Sequence, residues 1–298
     1  MGRKISVLMM GILCIGLCFG CASSKRNAPQ EKGMQSNELA VATTSVAICE
    51  ILDALDYQNV VGVPETSGTL PERYTWVDTI GAPMNPDIEV VKSISPDLLL
   101  SPKSLESSLA EQYQSASIEA EFLDMSTVQG MYKGISMLGE KLGREEQAEQ
   151  LYAEYESYME EYIFEELENA NCMILMCFPG GKYLIATENS YVGNLVELAG
   201  GNNVYSNYQG DENGFVAINP EDMVNKNPEY IFVYAHFNEE EAFESMKKEF
   251  EENSTWQHFE AVKSGEVHYL SSDLFGMSAT FEWVDALKFL KPILHGEE

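Results

Sequence analysis

The sequence predicts an α/β protein of two Rossmann-like lobes joined by a single long helix. Three observations carry this expectation. The chain has 298 residues, too long for one ordinary core and suited to two domains of roughly 100–150 residues each. Strand and helix signals alternate along both halves, the pattern of parallel sheets covered by helices. A weak internal repeat relates the halves: Pro86-Asp-Ile-Glu89 leads to Pro96-Asp97 and an apolar run, and Ile218-Asn-Pro-Glu221 leads to Pro228-Glu229 and another. In each copy a glutamate stands near a helix start, a proline follows seven residues later, then an acid, then a strand. Two such lobes on one connector enclose a cleft, where ligands usually bind.

The N-terminus is expected to be a targeting segment. Arg3 and Lys4 precede the uncharged apolar run Ile5 to Gly20, which is short for a span of roughly 20 residues and reads as a signal peptide over 1–20. Gly20-Cys21 resembles the lipobox of bacterial lipoproteins, in which the cysteine is lipidated and becomes the first residue. The box Cys18-Phe19-Gly20-Cys21 departs from the usual pattern of leucine three residues before the cysteine, since Leu17 stands one place early. Several acyl chains hold a protein firmly to a bilayer where one does not. Residues 21–37, rich in Ser, Asn, Gln and Lys, read as a flexible tether.

The first lobe, 38–138, begins with a strand from Glu38. Thr43, Thr44 and Ser45 offer N-cap hydroxyls to a helix over Val46–Leu55. A strand follows over Asn59–Val63, a helix over Asp87–Ile94, and strands over Leu98–Ser101 and Glu121–Met125. The charged stretch Val128–Glu168 reads as helical. The connector is placed at 139–170, where some 25 continuous residues would span roughly 37 Å. The second lobe, 171–298, has strand signals at Cys172–Phe178 and, after Pro-Gly-Gly, at Tyr183–Ala186. A helix capped by Ser190 runs over Tyr191–Leu198. Glu221–Asn225 reads as helix, Tyr230–Tyr234 as strand, Glu239–Glu251 as helix, Val267–Leu270 as strand and Ala279–Leu294 as helix.

Composition narrows the function. Apolar residues make up 45% and charged residues 22%, as in globular proteins. Lys and Arg number 18 against 48 Asp and Glu, a net charge of −30, so nucleic-acid binding is not expected. An anionic ligand would need a locally built site. The four histidines, His236, His258, His268 and His295, are not closely spaced, which argues against a zinc or manganese receptor. After signal removal and anchoring, Cys49, Cys172 and Cys177 remain, an odd number that argues against a disulfide framework. Cys172 and Cys177 lie five apart in one strand, hence on opposite faces. No Gly-x-Ser-x-Gly elbow, Walker lysine loop or His-Glu-x-x-His occurs, so an enzyme is not expected.

The cysteine-terminated leader, the paired Glu-x6-Pro-acid segments and the long helical connection resemble the class III solute-binding proteins of ABC importers, over roughly residues 38–298. Four segments in order are similar to the haem-receptor lipoproteins of Gram-positive bacteria: Gly68–Tyr74, Ile80–Pro86, Tyr183–Gly193 and Trp256–Lys263. The resemblance implies a receptor lipid-anchored through Cys21 on the outer face of the cytoplasmic membrane. Its transported ligand would be haem, delivered to an ABC permease for iron acquisition. Upstream haem-donor surface proteins would be further partners, and the receptor would be a monomer. A ferric siderophore or cobalamin is the alternative cargo of the same fold.

It also implies a site. One lobe supplies a methionine and the other a histidine to the haem iron, and these map to Met84 and His236. Thioether and imidazole are competent axial ligands, a pair that raises the iron's potential. A methionine is ordinarily core packing, so the resemblance is what singles Met84 out. The haem propionates need positive partners. The helix start at Thr43, Thr44, Ser45 and Val46 offers free N–H groups and a dipole, with Arg73 as a second contact. The bland reading is that these residues only cap their helix. Leu70, Tyr74, Tyr191 and Phe275 are further candidate haem contacts. Glu89 and Glu221, one per lobe, match the acids that meet arginines of the permease, although a glutamate in a first helical turn ordinarily just favours the dipole. A connector made of one helix predicts a small closing motion rather than a wide hinge.

Overall fold

In the computed structural model, which describes residues 38–163, 170–208, 210–211, 213–218 and 220–296, the first lobe is built on a four-stranded parallel sheet. The expected signal peptide, the tether and Cys21 lie outside the described residues. Strand β1 (Val41–Thr43) leads to helix α1 (Val46–Ala54), and β2 (Val60–Gly62) to a long loop ending in the small hairpin β3 (Gly81–Ala82) and β4 (Asn85–Pro86). Helix α2 (Ile88–Ile94) starts at Asp87, whose carboxylate accepts from the Glu89 and Val90 amides. Then come β5 (Leu98–Pro102), α3 (Glu106–Ser115) and β6 (Ala120–Leu123). The order in the sheet is β2-β1-β5-β6.

The connector differs from the expectation of one helix beginning at residue 139. Helix α4 (Val128–Leu142) stops at Gly143, which takes the left-handed φ of +66°, and α5 (Glu145–Ile163) starts afresh. Residues 139–142 therefore belong to the first lobe's last helix. Gly139 and Ala148 lie so close that a Cβ on Gly139 would stand 2.4 Å from that of Ala148. Helix α5 alone leads to the second lobe, and its 19 residues span about 28 Å. Tyr155 of α5 stacks on Tyr132 of α4 at 4.4 Å and meets Trp283, near the C-terminus of the chain, edge-on at 5.9 Å.

The second sheet is mixed, where the alternation of signals suggested parallel strands. Strand β7 (Asn171–Phe178) turns back directly into antiparallel β8 (Lys182–Ala186). Gly180 and Gly181 hold φ of +84° and +74°, a tight reversal; a parallel pair would require a crossover of a dozen or more residues. Helix α6 (Tyr191–Leu198), β9 (Asn202–Asn203), β10 (Phe215–Val216) and the short α7 (Pro220–Val224) follow. Next are β11 (Tyr230–Ala235), α8 (Glu239–Glu252), α9 (Glu260–Ser264), β12 (Val267–Leu270) and α10 (Trp283–His295). The order is β10-β8-β7-β11-β12, with β9 pairing β7. Among the described residues no helix is long and apolar enough to cross a membrane.

Period-two burial explains how the sheets share a core. In β7, Cys172, Ile174 and Met176 face one cluster while Met173, Leu175 and Cys177 face another, as side chains on a strand must alternate. The two cysteines thus lie on opposite faces, and burial pushes their thiols up to about 12 and about 11. The first cluster also takes Val41, Leu98 and Leu100 of the first sheet, together with residues of α1, α4, α6 and α10. One apolar core therefore runs through both lobes. Residues 38–298 accordingly form a single compact unit. Polar links add to it: the Val128 amide donates to Asn194 Oδ1 (3.0 Å), the Ala279 amide to the Met125 carbonyl (2.7 Å), and Trp283 Nε1 to the Tyr132 hydroxyl (3.4 Å).

Candidate functional site

Loops from both lobes enclose a cavity of about 520 Å³, within the size range of small-molecule sites. The first lobe contributes Lys103 and Ser104, just past β5, and Asp124, Met125 and Ser126, just past β6. The second contributes Glu188–Tyr191 at the start of α6, Asn207, Tyr208, Gly210, Asp211, Asn213 and Phe215, Tyr234 of β11 and Gly276–Ser278. The wall is rich in acceptors. Glu188 Oε1 takes the Asn207 amide at 3.0 Å, and Asp211 takes the Asn213 and Phe215 amides at 3.0 and 2.8 Å. Glu188 Oε2 and Asn213 Oδ1 are buried without a hydrogen-bond partner. Of the sequence candidates, Tyr191 is on this wall; burial of its hydroxyl pushes its pKa up to about 12.

Met84 and His236 stand outside this cavity wall, in loops beyond the ends of strands, one in each lobe. Met84 is at the tip of the β3–β4 hairpin, which is tied to the end of β2 through the Ile80 amide and the Val63 carbonyl (2.9 Å). The Pro83-Met84 tip projects, leaving Met84 69% exposed. The thioether is thus uncommitted to the core, unlike that of a packing methionine. His236 follows the last residue of β11, and its amide donates to the Cys177 carbonyl at 3.2 Å. Its ring lies 5.6 Å from both Phe178 and Phe237, which themselves stand 6.1 Å apart. Nδ1 is buried without a partner, and burial lowers the imidazole pKa. The ring is therefore neutral near pH 7, the form that binds metals.

The group at the start of α1 divides. Thr43 and Thr44 are fully buried. Thr43 Oγ1 accepts from the Ser45 amide (3.2 Å), Thr44 Oγ1 bonds Ser101 Oγ (2.9 Å), and the Thr44 amide donates to the Leu100 carbonyl (3.0 Å). The Thr44 hydroxyl and amide thus serve the β1–β5 junction, and the Thr43 hydroxyl serves the turn into α1. Ser45 and Val46 are the part of the group that touches solvent, and Ser45 makes no side-chain cap bond. One turn further on, Glu50 is partly buried with Oε2 unpartnered. Burial, and then the charge of Glu282, push its carboxyl up to about 7.

Four other candidates have partners within the protein itself. Arg73 pairs with Asp53 (2.5 Å) and Asp56 (2.7 Å) at the far end of α1, away from the helix start it was expected to assist. Tyr74 is buried, its hydroxyl donating to the Tyr57 carbonyl at 2.7 Å. Leu70 packs against the central core. Phe275 is buried edge-on to Phe289 at 5.7 Å. Tyr74 and Phe275 are buried, the usual fate of their type, whereas Leu70 is only partly buried. Glu89 lies in the first turn of α2, its side chain 86% exposed and 3.5 Å from Lys92. Glu221 lies in the first turn of α7; its side chain is outside the description. Sequence reasoning missed Lys103, in the 3-10 turn Lys103–Leu105 that runs into α3, and Asp124, Glu188 and Asn213, which lie in irregular loops with no spacing pattern to mark them.

Comparison with known proteins places the chain. The family model described as periplasmic binding protein matches residues 41–274. The High-affinity heme uptake system protein IsdE of Staphylococcus aureus is 32% identical over 99% of this chain and 99% of its own length. An ABC transporter substrate-binding protein from Listeria monocytogenes EGD-e superposes with a TM-score of 0.81 at 37% identity, covering 87% of this chain and 100% of that one. The crystal structure of S. aureus IsdE complexed with heme superposes with a TM-score of 0.79 at 33% identity, covering 87% and 99%.

Proposed function

Because this chain belongs to the periplasmic binding protein family, with the class III fold, we propose that it is a haem receptor that delivers its cargo to an ABC permease for iron acquisition. The observation that carries this reading is the end-to-end similarity to IsdE, whose own structure was solved with heme. Met84 and His236 are the proposed axial ligands. Each stands beyond a strand end in a different lobe, one with an uncommitted thioether, the other with a neutral imidazole. Ser45, Val46 and Tyr191 remain the proposed cargo contacts at the two helix starts. Glu89 and Glu221 are the proposed contacts to permease arginines. Division into lobes at 38–138 and 171–298, lipidation at Cys21, placement on the outer face of the membrane, receipt of haem from surface donors and a monomeric state belong to the same reading. No catalytic residue is assigned.

The test is a haem titration of the purified protein. A sharp low-spin Soret band is expected, and His236→Ala and Met84→Ala should each alter it. Two mutants spectrally identical to wild type would refute the ligand assignment; absence of any haem spectrum would refute the cargo.

A further inference from the structure

Placing two carboxylates in a protein of net charge −30 requires a local cation, because the general field opposes them. The sequence offered Arg73, which Asp53 and Asp56 have claimed. Nearly every other described lysine or arginine is likewise engaged with a carboxylate, another side-chain acceptor or an aromatic ring. Lys103 and Lys182 are the described exceptions. Lys182 lies on a separate apolar groove with Phe178, Tyr183 and Leu184. Lys103 is the one basic side chain on the described wall of the interlobe cavity.

Its surroundings leave that ammonium available. The wall carboxylates accept from backbone amides, Asp124 from Ser126 (3.1 Å), Asp211 from two and Glu188 Oε1 from a third, and among the described residues none of them forms an ion pair with Lys103. Lys103 sits two residues beyond Ser101, whose hydroxyl bonds Thr44 immediately before α1. The backbone that carries Lys103 therefore leaves β5 next to the residues that lead into α1.

We infer that Lys103 is a specificity-determining residue of the interlobe site, its ammonium pairing with a carboxylate of the cargo. On the haem reading, on which this rests, that carboxylate is a propionate. The pairing selects by functional group. A porphyrin with free acids gains a charge-assisted hydrogen bond; a macrocycle whose side chains end in amides or esters does not.

The experiment uses the full chain in detergent, titrated with haem and with haem dimethyl ester, its propionates capped. Wild type should prefer the free acid by about tenfold, the size expected of one hydrogen bond to a charged group. Lys103→Gln should weaken haem about tenfold and leave the diester unchanged, and Lys103→Arg should restore the preference. Lys103 is exposed, so these variants test recognition rather than folding. A Lys103→Gln protein that keeps the wild-type ratio of the two affinities overturns the role, whether or not both fall together. If wild type gives no haem spectrum, the haem reading falls and this role with it; a normal haem spectrum with an unchanged ratio sinks the role alone.

Discussion

Two helices begin after strands with a serine in the N-cap place, and they begin differently. Ser45 before α1 and Ser190 before α6 share the same extended backbone, with φ and ψ of −133° and 134° in one and −102° and 155° in the other. Ser190 Oγ accepts from the Gly193 amide at 3.1 Å and donates to the Thr187 carbonyl at 2.8 Å. Ser45 makes no cap bond, and Ile48, in the place equivalent to Gly193, is core. The second lobe has spent its helix-start serine on a cap bond; in the first lobe the serine makes none. A capped start has its amides satisfied from within, whereas an uncapped one leaves them open to water or a ligand.

That contrast can be broken most severely at Gly193. A Cβ there would stand 1.8 Å from the Thr187 carbonyl oxygen, so Gly193→Ala should destabilise the protein by more than about 4 kcal/mol or prevent folding, read by chemical denaturation. Removing the cap with Ser190→Ala should cost about 1 kcal/mol or somewhat more, since a buried bond goes with it. Ser45→Ala should leave stability within about 0.5 kcal/mol of wild type. Equal losses from the two alanines would erase the distinction.

A smaller effect concerns Glu50 within α1. Its folded pKa of about 7 exceeds the ordinary 4.5, so the native state holds a proton that the unfolded chain releases. Its contribution is complete below pH 4.5 and declines as pH rises towards 7. Glu50→Gln should remove that slope and stabilise the protein at pH 7 by on the order of 1 kcal/mol, allowing for solvent screening of a partly exposed carboxyl. Melting curves between pH 5 and 8 would show whether mutant and wild type converge at the acid end, about the range where a carboxyl with so raised a pKa titrates.

The sequence made the sheets legible because strands buried on both faces read as apolar runs, as Leu98–Leu100 and Cys172–Phe178 do. It made the helix capped by Ser190 legible for the same local reason that it over-read Ser45: residue type states that a hydroxyl is present, not where it points. Helix α3 was missed because its buried face is only Leu109 and Tyr113, too thin a stripe for a periodicity argument. The break at Gly143 was underweighted against the charged helical residues on either side, although a left-handed glycine ends helices routinely. Met84 and His236 could be nominated from resemblance, since flanking motifs locate them. Lys103 could not, because what distinguishes it is the lack of a partner, and that is a property of three-dimensional neighbours.

The shared core of the two sheets has a consequence for how cargo is exchanged. Val41 and Leu100 on one side, Ile174 and Phe232 on the other, belong to a single packed interior, so prising the halves apart would expose that interior to water. That cost opposes a wide separation of the halves, so on the haem reading exchange of cargo is expected to involve side chains at the rim, with little change in outline.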